Sequence, residues 1–300
     1  MMRKRTKVWL IIAAFLVLLG CILFACVMET LGWDIRKLST TQYETNTYEI
    51  REGFNSISMN TDTADIVFAL SDNGTCKVEC HEEEKAKHSV KVEEGVLNIK
   101  LIDERVGYFG INIGSPKITV YLPETEYTSL FIDESTGDIV IPKEFRFNHV
   151  DLSLSTGFVH FNASASERIK IKVSTGDIRM ENLSAGALDL SVSTGKTHLT
   201  DLTCNKLTSR GDTGDIYMEN VIATETLSIR RSTGDIKFDQ CDAAEIFAET
   251  DTGDVRGNLL SNKVFMIETD TGNVDVPKTV DGGKCEITTD TGDIKIKILS

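Results

Sequence analysis

The tripeptide Asp251-Thr252-Gly253 has the residue types and order in which aspartic proteases carry a catalytic carboxylate. That chemistry needs two such loops in separate lobes, so that a pair of carboxylates shares one proton. A second suggestive stretch, CKVECHEEEKAKH at 76–88, contains Cys76, Cys80, His81 and His88, all residue types that bind zinc. Within one strand, however, Cys76 and Cys80 would lie about 13 Å apart. They could not share a tetrahedral ion, and the stretch is read as holding no metal. There is no Ser/His/Asp grouping, no pair of carboxylates set in a cleft, and no phosphate-cradling glycine loop followed by a helix. The sequence therefore assigns no catalytic, cofactor-binding or metal-ligating residue, and the chain is expected not to be an enzyme.

The elements that carry these residues exclude the protease directly. Thr-Gly recurs at Thr136, Thr156, Thr175, Thr194, Thr213, Thr233, Thr252, Thr271 and Thr291, in steps of 19 or 20 residues. Such units leave no room for lobes. The preceding residue changes from Ser in early units to Asp in several later ones, so DTG is a variant of STG, a repeated turn. After Gly comes Asp138, Asp177, Asp215, Asp235, Asp254 or Asp293 in six of the nine units.

With Thr as position 1, positions 4 and 6 are nearly always apolar, as in Ile178/Met180, Ile216/Met218 and Ile236/Phe238. Alternation at period two predicts strands with one buried face. A unit of two short strands cannot bury that face alone, so the units must stack, with like positions forming columns. The prediction is an all-β single-chain solenoid with 135–300 as regular repeats and 48–134 as longer N-terminal rungs and cap. FNSISMNTDTADIVFAL, 54–70, is read as a degenerate first rung, and VKVEEGVLNIKLI as a hairpin.

Position 3 forms an acidic column. Position 5 reads His160, Arg179, His198, Tyr217, Lys237, Arg256, Asp275 and Lys295, and position 7 adds Glu181, Glu219 and Asp239. Asp251, Asp254, Asp270, Asp290 and Asp293 should line one edge. Either each turn aspartate accepts its own corner's amide hydrogens, or neighbouring carboxylates share calcium, which takes about six to eight oxygen ligands; the first reading is preferred. Cys241 and Cys285 fall in different inward columns and are expected to be free thiols more than one rung apart. Phe247 and Met266 should stack on the outside of adjacent rungs.

The order GFNSISMNT, EEGVLNIKL, ITVYLPETEYTSLFI and then serial STGDI units resembles the putative-adhesin family of β-strand repeat proteins, a domain of unknown function. The resemblance covers about residues 48–300. It implies a β-solenoid in exported or membrane-linked proteins of Gram-positive bacteria, some associated with envelope stress responses, and it supplies no catalytic residue. Phe158 and Lys196 depart from it, standing where Asp is expected.

Val8 to Met28 carries no charge, and a helix of that length spans about 30 Å, one hydrocarbon core. Arg3, Lys4, Arg5 and Lys7 precede it, which predicts a cytoplasmic N-terminus (1–7), a transmembrane helix (8–28), a juxtamembrane spacer (29–47) and an extracytoplasmic domain. A lipoprotein box at LLGC, ending on Cys21, and a cleaved signal peptide are weaker matches. Net charge is −14, or −18 for residues 29–300 once the four leader cations are set aside. That excludes a general nucleic-acid binder. Five cysteines lie outside the span, irregularly spaced, and form no disulfide framework.

These features predict a membrane-anchored protein that binds or senses at the cell envelope, through an envelope polymer, another protein or a cationic peptide. Two alternatives stay open: a self-assembling scaffold pairing through the terminal strand GDIKIKILS, and a polysaccharide-active β-helix enzyme.

Overall fold

The computed structural model describes residues 4–39, 41–105 and 114–299. Helix Lys4–Thr30 contains a candidate membrane span, Thr6–Thr30. A short 3-10 turn, Ile35–Leu38, leads to strand Tyr43–Ile50, which begins inside the segment read as a spacer. The described residues after it are strands and turns wound into a solenoid of about 8 turns.

The turns stack in parallel with like positions paired. Thr156, Thr175, Thr194, Thr213, Thr233 and Thr252 form one continuous column. The alternation fills the interior as expected: Ile139, Val159, Ile178, Ile216, Ile236, Val255 and Ile294, all at position 4, are fully buried. Each turn bends at two kinds of special corner. At the first, Gly176 has φ +138°, and a Cβ there would lie 1.8 Å from the carbonyl oxygen of Gly157 in the turn below. No side chain fits, so the corner requires glycine. At the second, position 8, Asn182, Asp201, Asn220 and Gln240 adopt φ between 51° and 55°. Asn and Asp tolerate this left-handed conformation better than most residues, and the chain runs on past it as strand.

Both ends depart from sequence order. Strand Ser56–Asn60 lies between Val96–Asp103 and Glu126–Thr136, and strand Asp65–Leu70 between Lys117–Leu122 and Ile139–Ile141. The degenerate repeat is thus tucked one layer inside the later hairpin rung. That outer layer is covered by Tyr43–Ile50, Cys76–Glu83 and Ala86–Glu93, all paired antiparallel. At the other end, Gly283–Thr291 inserts between Ile236–Thr252 and Lys263–Thr271, and Ile294–Ile298 between Val255–Leu259 and Val274–Asp275.

This arrangement corrects three expectations. The terminal strand is paired along its length with Val255–Leu259 and is covered on its other side at Ile294 and Lys295, so it does not offer a full free edge to another molecule. Cys285 lies one turn from the strand of Cys241, not further, although the two remain in different columns and both are buried free thiols. Glu286 separates Phe247 from Met266, which therefore do not stack. The physical reason is apolar content. The last repeat buries Cys285, Ile287, Ile294 and Ile296, whereas the preceding repeat leaves Val274 49% exposed. The more apolar repeat takes the layer covered on both sides.

One inward column begins with an acid. Glu134 pairs with Leu154, which continues as Val173 and Val192. Its Oε1 accepts the Ala64 amide at 3.1 Å, while Oε2 and the nearby buried Thr61 Oγ1 have no partner. Burial pushes the carboxyl up to about 8, against the pull of the Ala64 and Thr136 amides. An acid whose folded pKa exceeds its unfolded value keeps a proton that the unfolded chain has lost, so stability falls as pH rises. For Glu134 the window runs from the ordinary 4.5 to about 8. Glu134→Gln should flatten the decline of stability across that window and be more stable at its upper end by about 2 kcal/mol. Denaturant unfolding of the detergent-solubilised chain across that pH range tests this; a slope identical to the parent's would refute it.

Candidate functional site

The turn aspartates bond across the stack. Asp138 Oδ1 accepts the Phe158 amide at 2.9 Å, Asp177 that of Lys196 at 2.7 Å, and Asp215 that of Asp235 at 3.0 Å. Asp235 continues to Asp254, Asp254 to Asp293, and Asp293 to Asn273, at 2.7–2.9 Å. Each carboxylate therefore serves the next turn's amide, not its own corner's, which corrects the preferred sequence reading in its geometry. The ladder follows spatial order through the exchanged turns at both ends, beginning with Asp65 and Asp138. Amide donation from Asn273 holds the Asp293 carboxyl below its usual range.

The remaining oxygens face the basic column. Arg256 lies 2.5 Å from Asp254 Oδ2 and 3.7 Å from Asp293 Oδ2. Both oxygens of Asp254 thus have partners in the protein. Asp251, Asp270 and Asp290 are exposed and precede the corner.

In the middle turns the face changes character. His160, Arg179, His198 and Tyr217 pair in succession along position 5. Beside them at position 3, Phe158 and Lys196 replace two carboxylates. His198 and Tyr217 stack with centroids 4.9 Å apart and planes 10° from parallel. Lys196 Nζ lies 6.0 Å from the Tyr217 ring, and Phe158 meets His160 edge-on at 6.1 Å. Partial burial, helped by Arg179, lowers the His198 pKa and favours the neutral ring. An aromatic patch with two cations results, each cation paired with a neighbouring carboxylate: Arg179 Nε lies 2.6 Å from Glu181 Oε1 and Lys196 Nζ 3.8 Å from Asp215 Oδ2. Such a patch can stack on a sugar or polyol surface and neutralise attached anions.

The Cys/His stretch is divided differently than its residue types suggested. Cys76 and Cys80 do share one strand, Cys76–Glu83, facing inward. His81 points outward and stacks on Tyr43 at 5.2 Å. His88, on Ala86–Glu93, is buried and bonds through Nδ1 to Glu82 Oε2 at 2.7 Å. Among the described residues, Cys80, Glu82 and His88 are the one group of three whose donor atoms lie within 4.8 Å of one another. Glu82 was missed because acids are rarely buried. Its signal was the two-residue spacing from Cys80, which places both on the inward face.

The turn-to-turn bond sets the expectation for the aspartates. Asp254→Ala leaves the partly buried Asp293 amide without its acceptor and should cost about 1–2 kcal/mol. Asp254→Asn keeps a carbonyl oxygen and should recover most of that loss. Equal destabilisation by Ala and Asn in denaturant unfolding would show that charge, not acceptance, is what the position supplies.

A family model described as Toastrack DUF4097 matches residues 54–237 and 212–299. No curated protein matches the chain. A crystal structure of a putative adhesin from Parabacteroides merdae shares 14% identity and a TM-score of 0.54, covering 85% of this chain and 97% of that one. A putative adhesin from Bacteroides fragilis, at 16% identity, has a TM-score of 0.44 over 85% and 97% of the two chains. A putative lipid binding protein from Parabacteroides distasonis, at 15%, has 0.44 over 86% and 98%. The first of these supports the fold alone.

Proposed function

The chain belongs to the Toastrack DUF4097 family, and from that premise we propose that it is a membrane-anchored, extracytoplasmic, adhesin-like protein that binds without catalysis. The observation that carries this reading is the patch of Phe158, His160, Arg179, Lys196, His198 and Tyr217, set where two turn carboxylates are missing. Its ligand class is an anionic envelope polymer with sugar or polyol units. Stacked rings would hold the carbohydrate, and Arg179 and Lys196 its anionic groups. An extended polymer lying along this column needs no water-excluding cleft of the kind that hydrolysis of a bound chain uses. Helix Lys4–Thr30 would hold the solenoid at the membrane, with the basic leader inside the cell. A sensing role in envelope stress fits the same placement.

Two measurements test the proposal. Protease added to wall-stripped cells should degrade the solenoid; full protection would reverse the topology. Binding of the solubilised full chain to phosphodiester-linked polyol polymer and to anionic polysaccharide should weaken about tenfold or more in Arg179→Glu/Lys196→Glu/Tyr217→Ala, a loss of about 1.4 kcal/mol or more. Unchanged affinity in a folded triple variant would place binding elsewhere. Release of new reducing ends from the polysaccharide would favour the enzyme.

A further inference from the structure

Cys80 and Glu82 lie two residues apart on the inward face of Cys76–Glu83, and Ala86–Glu93 brings His88 against them. All three are buried, with 4% or less of each residue exposed. Glu82 Oε1 accepts a hydrogen bond from Asn46 Nδ2 at 2.8 Å, and Oε2 accepts from the His88 amide at 2.6 Å and stands 2.7 Å from its Nδ1. With Nδ1 donating to the carboxylate, the other ring nitrogen carries a lone pair. That nitrogen, Nε2, is buried and has no hydrogen-bond partner. A buried imidazole oriented by a carboxylate through one nitrogen, with the other bare, is the arrangement typical of metal-binding histidines.

We propose that Cys80, Glu82 and His88 form a binding site for one zinc-class divalent ion, with Cys80 Sγ and a ring nitrogen of His88 as direct ligands and Glu82 as the balancing carboxylate. Sulfur and nitrogen donors select a borderline-soft ion over calcium or magnesium. Charge argues the same way: a divalent cation, one thiolate, one carboxylate and a neutral imidazole sum to zero, the state a buried site tolerates. Binding would release the thiol proton to solvent and leave the Cys80 sulfur bound as thiolate. The ion would tie together the two strands that cover the N-terminal end of the solenoid, the end nearer the helix. This inference is independent of the polymer-binding face.

The test uses the full chain in detergent, in a Cys21→Ser/Cys26→Ser background that removes the two exposed thiols. After chelator treatment, cobalt(II) should bind at one equivalent with a thiolate-to-metal charge-transfer band, and zinc(II) should displace it and raise the melting temperature. Cys80→Ser should abolish the band. His88→Gln and Glu82→Gln should weaken zinc at least about tenfold, while Cys204→Ser should change nothing. Absence of any band and of any zinc-dependent shift in the parent chain overturns the proposal, whether or not the variants fold. So does a band that survives Cys80→Ser.

Discussion

The architecture depends on the contact between successive Thr-Gly corners. The Gly157 amide donates to the Thr175 carbonyl at 3.0 Å and the Gly176 amide to Thr194 at 2.8 Å, and the same bond recurs up the stack. Glycine lets the turns approach until its neighbour's carbonyl occupies the place of a Cβ. The amide at position 3 then faces the turn below, and the carboxylate there accepts it. Variation in repeat length is absorbed elsewhere. The extra residue between Thr213 and Thr233 enters at the register shift between Ala223 and Thr226, and the Thr column stays aligned.

The sequence made this scheme legible because its periods are rigid: two residues along a strand and 19 or 20 between turns. Positions 4 and 6 could be read directly, and so could the equivalence of Thr63-Ala64 to Thr136-Gly137, now paired at Thr63 and Thr136. The order of stacking at the ends could not. Equivalent repeats carry the same turn residues, and which one lies outermost is decided by small differences in apolar content, as between Ile294 and Val274. The partner of each aspartate was hidden for a related reason. Whether Asp254 serves its own corner or the next depends on the separation of turns in space, which one strand's alternation does not encode.

Two of the polar inclusions in the core contrast with each other. Arg231 is 2% exposed, and its guanidinium donates to the Arg230 carbonyl, to Ser209 Oγ at 2.9 Å and to Thr197 Oγ1 at 3.4 Å. Burial lowers its pKa to about 10, which leaves it charged at neutral pH. Gly211 makes the space, since a Cβ there would meet the Arg231 side chain at 3.1 Å. Thr197, Ser209 and Gly211 pair with the apolar Ile178, Leu190 and Val192 of the preceding turn, and together they accommodate one cation solvated by neutral oxygens. The Cys80 cluster differs. It brings together a carboxylate, an imidazole and a thiol, and one ring nitrogen is left unsatisfied. The first inclusion is complete within the protein, whereas the second lacks a partner.

The same logic bears on the outer face. Replacing a turn aspartate with Phe158 or Lys196 removes the acceptor for the next turn's amide, at Asp177 and Asp215. An amide left to water or to nothing at a partly buried corner costs up to about 1–3 kcal/mol. The remaining turns show that aspartate or asparagine fits this corner, so the loss is not forced by the fold. Both exceptions fall within the stretch where His160, Arg179, His198 and Tyr217 stand in one column, and nowhere among the later repeats. Removing two carboxylates there also removes two charges that would repel an anion, while Glu181 and Asp215 still pair with Arg179 and Lys196. A stability cost confined to the turns that carry this column is what the proposed binding surface would impose on a scaffold whose other turns repeat a single solution.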